Sequence, residues 1–131
     1  MKGVFSESRT NGVCVRAVGQ FHPERSSPNE SEWYFSYKVD IENQSDKGLQ
    51  VIAKHWVITD ARGQTMHLRG NRMLSTQPIL HPGEAYSYQG STPLSTSIGT
   101  MHGTIEIISE TGEKFDADIP PFTLVDPNTL N

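Results

Sequence analysis

An all-β domain, an antiparallel sandwich or barrel, is the fold class this sequence predicts, and three observations predict it. Apolar and polar residues alternate with a period of two over residues 33–42. Short runs rich in β-branched residues recur every ~8–15 residues, each bounded by Gly, Pro, Asn or Asp. No stretch carries the apolar spacing of an amphipathic helix.

Residues 1–10 are polar and aperiodic, so they read as a flexible N-terminal tail, with the folded domain expected over 11–127. Over residues 13–18, Val13, Val15 and Ala17 share one face and Cys14, Arg16 and Val18 the other, which predicts an edge strand. Residues 22–32 hold Pro23, Pro28, Asn29 and several serines; they lack donors for a ladder and favour turns, so a loop is expected. In residues 33–42, Trp33, Phe35, Tyr37, Val39 and Ile41 alternate with polar neighbours and Tyr34, which predicts a half-buried strand with Trp33 in the core.

A polar turn over 43–48 leads to a second strand over 49–59, and the two are expected to pair as a hairpin. Its alternation points either Trp56 or His55 outward. Asp60, Ala61, Arg62 and Gly63 suit a type I turn with glycine at the position that needs positive φ, giving a hairpin to a strand over 64–69. After a loop over 70–77, Pro82 and Gly83 mark a tight turn, and a short strand over 85–89 carries Tyr86 and Tyr88 on one face. A strand over 100–108, a turn at Glu110, Thr111 and Gly112, and a return strand over 114–119 complete the chain; Pro120 and Pro121 are expected to end its pairing.

With 131 residues the chain fits one core, which at this size needs neither disulfide nor structural metal. One cysteine, Cys14, cannot close an internal bridge, which suits a reducing compartment. Residues 1–10 lack the apolar core of a signal peptide, and no run is long enough to span a bilayer, so a cytoplasmic protein without membrane insertion is expected. The net charge of −4 argues against general nucleic-acid binding, which depends on Lys and Arg neutralising phosphates.

From His55 onward the wording of the sequence resembles the ApaG family: His55-Trp56 with Ile58, Asp60 and Gly63, then Leu68-Arg69-Gly70, Gln77-Pro78 and Pro82-Gly83-Glu84. The order continues with Tyr86, Tyr88, Gly99, Met101 and Gly103, and closes on Phe115 and the run Ile119-Pro120-Pro121-Phe122-Thr123-Leu124. The resemblance covers roughly residues 13–127. It implies a fibronectin type III-like, that is immunoglobulin-like, antiparallel β-sandwich in a stand-alone cytosolic protein associated with magnesium and cobalt efflux or tolerance. The same module inside larger eukaryotic proteins implies a binding or adaptor role toward an unidentified protein partner.

Bacterial relatives of this kind carry a G-x-G-x-x-G stretch after the Arg-Gly pair, which implies a site for pyrophosphate or a nucleotide. Here only Gly70 remains; Arg72 and Ser75 replace the other glycines, placing side chains where backbone would approach phosphate. Arg69, Gly70 and Arg72 are therefore the candidate anion-binding residues, since two guanidinium groups can hold phosphate oxygens in bidentate fashion, and the alternative expectation is a small-anion binder or phosphohydrolase-like protein acting on pyrophosphate or a nucleotide. His22, His55, His67, His81 and His102 have no ligand-type spacing, so no metal site and no cofactor are expected, although a hairpin would bring His55 and His67 together. Cys14 has no activating neighbour and no Gly-x-Ser-x-Gly elbow occurs, so no catalytic residue is assigned and a non-enzymatic protein is expected. Asp60 reads as a turn residue and Glu110 and Glu113 as solubilising charges. The run at Pro120, Pro121 and Phe122 reads as the closure of one end of the sandwich.

Overall fold

The computed structural model describes residues 5–70 and 77–129. Among them the chain forms strands β1 (Ser6–Thr10), β2 (Val13–Phe21), β3 (Trp33–Asn43), β4 (Leu49–Asp60), β5 (Thr65–Gly70), β6 (Ile79–Leu80), β7 (Ala85–Leu94), β8 (Ile98–Ser109) and β9 (Lys114–Val125). All pairings are antiparallel. One sheet runs β1-β2-β3-β7; the other runs β5-β4-β8-β9, with β6 also on β4. The two sheets pack face to face as an immunoglobulin- and fibronectin type III-like sandwich. Among the described residues no helix is long and apolar enough to cross a membrane.

Alternation fills the space between the sheets. Phe35, Tyr37, Val39 and Ile41 of β3 face Trp56 and Ile58 of β4, Met101, Ile105 and Ile107 of β8, and Ile119, Phe122 and Leu124 of β9. Burying such side chains stabilises by about 1.5–3 kcal/mol each before ordering costs. The β4–β8 pair is close enough that Gly103 cannot be replaced freely, because a Cβ there would collide with the His55 carbonyl oxygen.

Five sequence expectations are corrected. Residues 6–10 of the segment expected to be a loose tail pair with residues 13–17, giving β2 a neighbour on each side, so β2 is interior and β1 takes the edge. Every second residue of β1 is only half-exposed, a periodicity too polar to read from sequence. The expected β3–β4 hairpin does not form, because β3 pairs β2 and β7 while β4 lies in the opposite sheet. Asn43 redirects the chain there. It is fully buried, its Nδ2 donates to Lys47 O (2.7 Å) and Leu80 O (2.9 Å), and its Oδ1 accepts from Ser45 N (2.9 Å), fixing a corner between sheets. Finally, Pro120 and Pro121 do not end β9. Pairing passes from Gly103↔Ile119 to Met101↔Phe122, so the prolines occupy a bulge where the ladder asks nothing of their missing N–H groups. Trp33, expected in the core, is only half-buried and donates its Nε1–H to Asp126 Oδ2 at 3.2 Å.

Candidate functional site

The sandwich has two lateral seams. On one side β1 and β2 lie against β9, and hydroxyl groups stitch the sheets: Ser6 Oγ donates to Pro121 O and Ser8 Oγ to Asp118 O, both at 2.7 Å. The other side lies between β7 and the β5–β4 edge, and there aromatic rings and one lysine meet.

A bulge in β4 creates this second seam. Between Val51 and Ala53 the register with β8 slips, so inward positions pass from Leu49 and Val51 to Lys54, Trp56 and Ile58. Lys54 is thereby turned into the sandwich, 5% exposed, with Nζ 3.2 Å from the centre of the Tyr88 ring. Among the described residues no carboxylate pairs with it. Desolvation holds its ammonium at a pKa of about 8, below the ordinary lysine range. Trp56, fully buried, lies edge-on to Tyr37 at 5.0 Å and to Phe122 at 6.0 Å. Gly90 of β7 admits the Tyr37 hydroxyl, which a Cβ would strike. Burial pushes the Tyr37 hydroxyl above its usual range, and burial, then the neighbouring Tyr37 and Tyr86, do so more strongly for Tyr88. Trp56 Nε1 and Tyr88 Oη are buried and, among the described residues, neither makes a hydrogen bond; the indole N–H is near enough to favour the Tyr88 phenolate slightly without completing one. Leu68 and Met66 of β5, opposite Trp56 and Ile58, form the rim.

The sequence-named residues fall as follows. Gly70 pairs with Lys54 and Arg69 with His55, while Arg72 lies outside the described residues. His55 Nε2 and His67 Nδ1 are 3.1 Å apart with the rings stacked at 5.3 Å, so the β4–β5 hairpin does bring them together. His55 faces outward and Trp56 inward. His22 contacts Glu24 (3.2 Å) and Ser36 (2.6 Å); His81 and His102 are exposed. Among the described residues no three His, Cys, Asp or Glu side chains are grouped to hold a metal. Cys14 is buried and free, and burial, then its contact with Glu7, raises its thiol pKa. Asp60 Oδ1 accepts from Arg62 N and Gln64 N, both at 2.9 Å, as a turn residue does. Glu110, beyond adding charge, accepts from Gly48 N and so ties two loops. At the β6 end of the same sheet, Ile79, Gln50 and Ile108 form a row across three strands beside a groove of about 360 Å³.

Sequence reasoning missed Lys54 because a bulge inverts alternation from one residue to the next. The three adjacent apolar residues Val51, Ile52 and Ala53 are the signal that strict alternation fails there.

The family model described as the ApaG domain matches residues 23–109. The chain belongs to the ApaG family. Protein ApaG of Aromatoleum aromaticum is 38% identical over 127 residues, covering 97% of this chain and 100% of that one. Protein ApaG of Afipia carboxidovorans is 42% identical over 125 residues, covering 93% and 96%. The crystal structure of the putative ApaA protein from Bordetella pertussis aligns with a TM-score of 0.85 at 38% identity, over 89% of this chain and 95% of that one. The C-terminal domain of wzt shares the fold alone, with a TM-score of 0.57 at 10% identity over 92% of this chain and 77% of that one. This ApaG domain therefore combines a sandwich shared with the solved Bordetella pertussis relative with a lysine turned into its interior.

Proposed function

We propose that this chain is a non-enzymatic binding module, an adaptor that takes up an extended segment of a protein partner and through it influences magnesium and cobalt homeostasis. The observation that carries the docking is the β6 end of the five-stranded sheet. Ile79 is 60% exposed there, above the groove it shares with Leu49 and Ile108, and β6 pairs only with β4 among the described residues. An extended peptide added to such an edge gains main-chain hydrogen bonds, and the groove accepts one apolar side chain of it. The association with magnesium and cobalt comes from the family resemblance. The test compares Ile79→Asp with the native chain in a strain lacking the gene, under raised cobalt, with partner retention measured in parallel. Ile79→Asp is expected to lose both the retained protein and the restored tolerance; restoration equal to the native chain would overturn this reading.

A second reading is small-anion binding, of pyrophosphate or a nucleotide, through Arg69, Gly70 and Arg72. Register favours it: Gly70 pairs with Lys54, so the chain leaves β5 beside an inward-turned ammonium. Pyrophosphate and ATP are expected to raise the melting midpoint of the native chain but not of the Arg69→Ala, Arg72→Ala variant. A midpoint unmoved by both ligands would sink it.

A further inference from the structure

We propose that the interior of the β7–β4 seam is an oxyanion site built from Lys54, Trp56 and Tyr88, with the ligand's oxygens received between the sheets. The inference deepens the small-anion reading and moves its centre from the segment after Gly70 to side chains on strands.

Donors meet here that lack acceptors among the described residues. Trp56 brings one N–H that can only donate, Tyr88 one O–H and its oxygen, and Lys54 three N–H groups with no lone pair. The Tyr88 ring face takes one ammonium direction. Suppose a small rotation lets the Trp56 N–H reach Tyr88 Oη: the tyrosine proton still has no acceptor among the described residues, and no ion pair there engages the Lys54 ammonium. Buried polar groups are almost always paired, and a cation turned inside without a countercharge costs more than a neutral donor. Water could accept from two of these donors, but its own two protons would then need acceptors and it brings no countercharge. An oxyanion brings only acceptors and the missing negative charge.

The surroundings fit the same ligand. Tyr37 and Phe122 hold the Trp56 ring edge-on from two sides, so its N–H direction is set before anything binds. Tyr86 backs Tyr88 at 6.4 Å. Fixed donors in a largely apolar wall bind an anion more strongly than the same donors in water, since nothing must reorganise. The lowered lysine pKa agrees, because an arriving anion would offset the desolvation that lowers it.

The chain has two tryptophans, so the indole N–H signals of the ¹⁵N-labelled full-length protein report on this site directly. Formate, phosphate and pyrophosphate are titrated separately at constant ionic strength near pH 7. The Trp56 signal is expected to move saturably with at least one of them, while that of Trp33, engaged with Asp126, stays in place. Lys54→Met is expected to weaken binding at least tenfold and Tyr88→Phe severalfold; the second variant keeps the ring and removes one donor. A Trp56 signal indifferent to all three anions, or one in contact with water alone, overturns the site. If Arg69→Ala, Arg72→Ala abolishes binding and Lys54→Met leaves it intact, the anion reading stands and this site falls. The reverse pattern supports the site and removes the arginines from it.

Discussion

The two seams of this sandwich close by different means. Along β1 and β9 the sheets are joined by short side-chain hydroxyls donating to backbone carbonyls, neutral bonds that leave no charge inside. Along β7 and the β5–β4 edge they meet through Tyr88, Trp56 and Lys54, where a bulge has placed a cation in the interior and two buried polar atoms lack partners among the described residues. Among the described residues the first seam pairs its polar groups, whereas the second leaves two buried polar atoms unpaired, at a cost in stability. Binding sites often carry this kind of local disadvantage.

The largest effect comes from the residue both halves share. Trp56 touches Tyr37 on the β7 side and Phe122 of β9, so Trp56→Ala is expected to lower the unfolding free energy by about 3–5 kcal/mol, read from denaturant titration. A loss near 1 kcal/mol would mean that the core can collapse around the cavity and that the seams are not coupled through this ring.

Lys54→Met sharpens the comparison in the opposite direction. Replacing an inward charge that no described carboxylate compensates by an apolar chain of similar length is expected to raise stability by about 1–2 kcal/mol. The sign with pH follows from linkage. The folded pKa, about 8, lies below the unfolded value, so between the two the unfolded chain binds more protons. The native protein therefore gains stability from this group as pH rises from about 8 toward the ordinary lysine range. The gap to Lys54→Met is full below pH 8 and narrows above it. A constant gap from pH 7 to 10 would show that the ammonium is not penalised by its surroundings.

The closed seam yields smaller numbers. Ser6→Ala and Ser8→Ala each remove one hydrogen bond and are expected to cost about 0.5–1.5 kcal/mol in the same denaturant titration, with no change in response to anions. An altered anion response would tie the two seams together and blur the division between them.

These contrasts also mark what was legible in the sequence. The period-two run from Trp33 to Ile41 exposes β3 directly, and the Asp60 to Gly63 turn with Gly63 at φ 83° is written in its residue types. Local chemistry decides both. The β3–β4 hairpin misled because Asn43 acts at a distance: its partner Leu80 lies far along the chain, and nothing local tells a corner from a hairpin turn. Lys54 was hidden for a related reason. A bulge shifts one residue and thereby exchanges the faces of all that follow, so the inward set after Val51 depends on pairing with β8. The approach of His55 and His67 was legible as a possibility of the hairpin, whereas Arg69 and Gly70 emerged from family wording rather than from any local pattern.

The smallest expected effect lies on the closed side and concerns Cys14. Its thiol is buried and contacts Glu7 Oε2 at 3.4 Å, an oxygen that also receives Arg16 Nε at 2.6 Å. Burial, then the carboxylate, keeps the thiol protonated, while Arg16 and then Cys14 hold the Glu7 carboxyl below its usual range. A protonated, enclosed sulfur is a poor nucleophile, so alkylation by iodoacetamide at pH 8 should be slow in the folded protein and fast in denaturant. Glu7→Gln removes the charge that disfavours the thiolate but leaves the burial. It is expected to speed alkylation only a few-fold, well short of the denatured rate. An increase that reached that rate would mean that Glu7 holds β1 in place, and the closed seam would then depend on a surface ion pair as well as on its serine hydroxyls.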